Sequence, residues 1–159
     1  MNQVGRPLMV MGLIWLAAVL QTSLSQRLAI FGVAPDFSLA VLAPIALTGT
    51  LAGSTCAGFA SGWIQGALAG ANLGHYVVSR TVGTFLFGLV RFADLHIGPG
   101  MAALITAGFT LFARLGLLFL APPPSIGGYL GATIGMAMYN GVIATPIYIL
   151  LVRMARRST

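Results

Sequence analysis

Among its 159 residues the sequence holds two aspartates, two histidines and one cysteine, and these set the limits of any chemistry it can do. General acid–base and metal chemistry need several such groups converging on one point. Asp94 and His96 stand two residues apart in a short loop, a spacing compatible with metal ligation. No further ligand lies near them in sequence, and a solvated loop accounts for both. His75 sits beside Tyr76 at the start of an apolar run, where an amphipathic pair marks a membrane–water interface. Cys56 lies inside another apolar run with no partner for a disulfide, and reads as a small buried hydrophobe. Asp36, between Pro35 and Phe37, is placed to cap a helix and meet the positive end of its dipole. The seven methionines are spread over the apolar runs as adaptable packing residues rather than gathered into a metal path. The expectation is a chain that is not an enzyme, with no catalytic residue, no metal site and no cofactor.

The elements that hold these residues are set by composition. Hydrophobic residues make up 58% and charged residues 6%, against roughly a quarter charged in soluble domains. All eight cationic side chains are arginine, and the net charge is +6. A nucleic-acid partner would need those cations clustered on one exposed face. They are scattered between apolar runs, so no nucleic acid is expected, and the charge reads as a membrane-topology signal. Arg6 followed by an apolar run could be a signal peptide, but Gln21-Thr22-Ser23-Leu24-Ser25-Gln26 offers no small-x-small cleavage site. A retained first span is expected instead.

A helix needs about 20 apolar residues to cross the hydrocarbon layer. Residues 7–26, 73–90, 99–120 and 128–152 each fit one span, and 37–69 is too long for one. Turn formers at 48–54 split it into 37–48 and 54–69. The result is an all-α integral membrane protein of six transmembrane helices in one domain, 1–159. Arg6, Arg91, Arg153, Arg156 and Arg157 then share one face, which the positive-inside rule makes cytoplasmic, with both termini on it. A five-span alternative would put the C-terminal arginines outside.

Small residues recur every four positions at Ser54, Gly58, Gly62, Gly66 and Gly70, and again at Gly127, Gly131 and Gly135. In lipid such stripes let helix backbones approach closely. Packing within the bundle is the plain reading, and a groove for a partner helix is the functional one. Arg80 and Arg114 are the charges inside spans, each about 10 Å below the outer boundary at 1.5 Å per residue. An unpaired charge there is costly. Gln21 and Gln65 fall in the same layer, so the four suggest a polar pocket opening outward, unless the arginines snorkel to lipid phosphates. No acid of the chain is expected at that depth, which leaves the counter-charge to a bound partner.

Leu20-Gln21-Thr22-Ser23-Leu24, the run from Arg27 to Pro35-Asp36, Gly58-Phe59-Ala60-Ser61-Gly62, Leu73-Gly74, Asn140-Gly141-Val142, Pro146 and the basic tail, in this order and spacing, resemble the rod shape-determining membrane protein MreD family over most of the chain. Two positions depart from the family: Gly66 stands where an Asp is common, and Arg80 where the residue is usually uncharged. The resemblance implies a fold similar to the substrate-binding S-component of energy-coupling-factor vitamin transporters. It also implies a place in the bacterial cytoplasmic (inner) membrane and a scaffold role in the cell-shape machinery. The partners implied are an MreC-like single-span protein and, indirectly, MreB filaments and a cell-wall polymerase and transpeptidase. Membrane lipid surrounds all of it. A shared fold does not fix function, so a vitamin-carrier subunit is the alternative. Such subunits dock their coupling partner through Ala-x-x-x-Ala on the first helix; here Ala17 is followed at that spacing by Gln21 and Ala18 by Thr22, so the stripe is missing.

Overall fold

A computed structural model describes residues 5–70, 73–93, 97–120 and 122–156. Asp94, His96 and Arg157 lie outside these described residues. The described chain is all-helical, with six α-helices: α1 (Gly5–Ser23), α2 (Phe37–Thr48), α3 (Leu51–Ala69), α4 (Leu73–Leu89), α5 (Pro99–Leu120) and α6 (Ile126–Arg156). The long uncharged stretch breaks at Thr48-Gly49-Thr50. Gly49 N–H closes α2 on the Ile45 carbonyl at 2.8 Å, and the Thr50 hydroxyl caps α3 by accepting from Gly53 N–H at 3.1 Å. Several ends differ from those the sequence suggested. α1 stops at Ser23, α3 starts at Leu51 and α6 runs from Ile126 to Arg156, because caps and local hydrogen bonds, not hydropathy, end a helix.

α2 is the centre of the molecule. It packs on all five other helices, and every residue from Phe37 to Leu47 is buried. A helix apolar all round belongs in a core. Its 12 residues make a rod of about 18 Å at 1.5 Å per residue. Leu39, Val41, Leu42 and Ala43 pack there with Ile14, Ala17, Phe109 and Leu151, and the rings of Phe87 and Phe109 meet edge to face at 5.4 Å.

The segment before α2 folds inward. A two-residue turn at Phe31-Gly32, with φ of 51° and 78°, pairs Ile30 and Val33 through two 3.0 Å backbone bonds. Val33 rests on Gly135, where a Cβ would lie 3.1 Å from it, and the Tyr139 hydroxyl donates to the Leu28 carbonyl at 3.0 Å. The loop therefore lies against α6, and α2 starts deep.

The stripe on α3 faces α4. A Cβ at Gly58, Gly62 or Gly66 would stand 2.7 Å from the Arg80 carbonyl, Val77 Cα or Leu73 Cα, distances at which backbone must move. Ser54 is buried and donates to the Ile45 carbonyl at 3.1 Å, while Gly70 ends α3 at φ 67°. On α6 only Gly135 of the three meets a neighbour; Gly127 and Gly131 face open space. A close approach not marked by any stripe occurs at Gly141, where a Cβ would be 2.9 Å from the Ala103 carbonyl.

The exterior is apolar, with Trp15, Phe59, Trp63, Leu104, Phe119, Met138 and Val142 among its exposed side chains. Two helices, Pro99–Leu120 and Ile126–Ala155, are long and apolar enough to cross a membrane. Cys56 is exposed on α3, contrary to the expectation of a buried hydrophobe: it lies on the face of α3 turned away from α4, where an apolar neighbourhood in sequence does not mean burial in the fold.

Candidate polar site at the buried start of the second helix

The first turn of any helix carries backbone N–H groups without intrahelical partners, and in α2 they are buried away from water. Side chains satisfy them. The Asp36 carboxylate accepts from Leu39 N–H at 3.0 Å, so the cap forms as Pro35-Asp36-Phe37 suggests. Gln21 Oε1 of α1 accepts from Phe37 N–H at 2.8 Å, and Asn140 Oδ1 of α6 from Asp36 N–H at 3.0 Å. Asn140 in turn donates to the Thr110 hydroxyl of α5 at 3.2 Å. Ser25 donates to the Pro35 carbonyl at 2.7 Å and receives Gln21 Nε2 at 3.3 Å.

Arg80 of α4 completes the cluster. Its guanidinium lies 3.1 and 3.4 Å from the two Asp36 oxygens and donates to the Ser61 hydroxyl of α3 at 3.1 Å. The side chains are 3% and 11% exposed, so this is a buried ion pair. The expectation that no acid of the chain shares the depth of Arg80 is therefore corrected. The second span has the length the sequence suggested, Phe37–Thr48; what the sequence did not show is that Asp36, at its start, meets Arg80 of α4 at 3.1 Å. Burying two charges costs several kcal/mol per ion in desolvation, at an order of magnitude, and mutual attraction offsets it only when geometry and extra hydrogen bonds are good. Here the extra hydrogen bonds run from Arg80 to the Ser61 hydroxyl and from Leu39 N–H to Asp36.

Arg114 of α5 has no carboxylate partner among the described residues. Its guanidinium stacks on the Tyr129 ring at 4.4 Å, the Tyr129 hydroxyl donates to the Arg114 carbonyl at 2.8 Å, and Nε is buried without a hydrogen-bond partner. Gln65 accepts from the Ser38 hydroxyl at 3.3 Å. Between these groups is a cavity of about 210 Å³ lined by Gln21, Gln65, Arg80 and Arg114 together with Asp36 and Tyr76. The four polar residues singled out in the sequence thus share one cavity. Sequence reasoning did not single out Ser25, Ser38, Ser61, Thr110 and Asn140 as site residues; Ser61 and Asn140 stood only within the segments of the family resemblance, and no charge marks any of the five. At the other end of α2, Arg91 donates to the Gly49 carbonyl, a cation at a helix C-terminus where it complements the negative end of the dipole.

The Asp36 oxygens accept from the Leu39 N–H of the helix cap and from Arg80. The cavity wall thus carries two arginines and neutral hydrogen-bonding groups, with Asp36 paired to one of the arginines. Comparison with known families, curated proteins and solved structures finds no match to this chain.

Proposed function

We propose that this chain is a non-enzymatic scaffold of the bacterial inner membrane, crossing it six times with both termini cytoplasmic, and that it binds an MreC-like single-span protein in the machinery of cell-wall elongation. The observation that carries the membrane reading is the inversion of polarity: an apolar exterior surrounds a hydrogen-bonded ion pair. Depths agree with it. With Thr48 at the inner edge of a hydrocarbon layer about 30 Å thick, Asp36 falls about 12 Å below the outer edge, beside Arg80 and Arg114 at about 10 Å. The scaffold role rests on the resemblance of the sequence segments. The α3 stripe is used within the bundle, so the partner helix is assigned to the remaining lipid-facing surface.

Co-purification from native membranes followed by mass spectrometry tests this. An MreC-like protein at near equal amount is expected; recovery of transporter ATPases alone would overturn it. The cavity favours one second reading, a carrier subunit of an energy-coupling-factor vitamin transporter. Its volume is below the roughly 300–1,000 Å³ of pockets that enclose drug-sized ligands, and a stoichiometric vitamin in the purified protein would nevertheless establish it in place of the scaffold.

A further inference from the structure

The charges around the cavity do not balance. Asp36, which lines the same cavity, is paired with Arg80 at 3.1 Å, and no acid among the described residues is within ion-pair distance of Arg114. One arginine on the cavity wall therefore carries an uncompensated charge, and its Nε is a buried donor with nothing to donate to. Buried polar groups in native structures are nearly always satisfied, and the Nε of Arg114 is an exception that calls for an acceptor. Arg114 is half-buried, so water reaches part of its guanidinium, and an anion would meet the Nε–H and the charge together. The guanidinium carbon lies 4.4 Å from the centre of the Tyr129 ring, and an oxyanion is the partner that an arginine fork suits best. Gln21, Gln65 and Tyr76 on the same wall add neutral hydrogen-bonding groups, and the volume suits one small head group rather than a whole cofactor.

We propose that this cavity is an oxyanion site that takes a phosphate group, with Arg114 as its charge partner. The phosphate comes either from an anionic lipid head group or from a small phosphate in solution; the site holds whether the chain is a scaffold or a carrier. The test uses the full chain purified in neutral detergent. Inorganic phosphate is titrated against chloride at matched ionic strength while the thermal midpoint is followed. In parallel, native mass spectrometry records lipid retained after exchange into phosphatidylglycerol–phosphatidylcholine mixtures. A phosphate-dependent rise assigns the site to a free anion, and selective retention of phosphatidylglycerol assigns it to the head group. In either arm Arg114→Gln is expected to weaken binding about tenfold or more, as loss of a hydrogen bond to a charged group implies. Arg27→Gln, at an exposed arginine outside the lining, is expected to leave it unchanged. The proposal is overturned if the wild-type chain binds neither anion, if Arg114→Gln binds like wild type, or if Arg27→Gln weakens binding as much as Arg114→Gln does.

Discussion

Asp36 and Arg80 depend on each other, because either one alone would be a buried charge without a counter-ion. Asp36→Asn keeps an oxygen that can cap Leu39 N–H yet strands the guanidinium. Arg80→Met fills similar space and strands the carboxylate. Each single change is expected to cost about 3–5 kcal/mol, and the double change much less than their sum. Thermal melts of the four proteins in one detergent measure this, and additive losses would mean that the pair is not coupled. This replaces the expectation that a partner compensates Arg80. What the sequence told at this scale was local: a carboxylate after proline and before an apolar run is a cap. The pairing joins residues 44 positions apart, and only the depth of α2 decides it. The exposure of Cys56 was hidden for a similar reason, since which face of α3 meets α4 is a tertiary fact.

At the scale of elements, two glycine stripes with the same spacing behave differently. On α3 the missing side chains let α4 approach to backbone contact, whereas the outer end of the α6 stripe touches nothing. Gly62→Leu is therefore expected to abolish accumulation of the folded protein, and Gly131→Leu to leave it near wild type. Quantitative immunoblots of membrane fractions compare the two; equal losses would refute internal packing as the cause. Spacing revealed that small residues share a face but not what the face meets. The break at Thr48-Gly49-Thr50 was legible because its residues favour turns. The burial of all of α2 was not, since a uniformly apolar run fits a core helix and a lipid-facing one equally well.

At the scale of the whole molecule, the arginine distribution and the proposed topology stand together. Reporter fusions after Arg6 and after Arg157 are both expected to report the cytoplasm, and opposite sides would restore five spans. The inward position of α2 also bears on how the chain is made. Gln21 and Asp36 precede α2, but its charge partner and its last cap are synthesised long after it: Arg80 follows Asp36 by 44 residues and Asn140 by 104. At about 5–20 residues per second, α2 waits several seconds for its counter-ion and longer for its last cap. During that interval a short apolar helix with a bare carboxylate has no stable seat in lipid. Under the proposed topology it must be sheltered by the insertion machinery, and the bundle closes only when α6 arrives. Chains released after α3 are then expected to be degraded, while those released after α6 persist, and pulse-chase of truncated chains measures the difference.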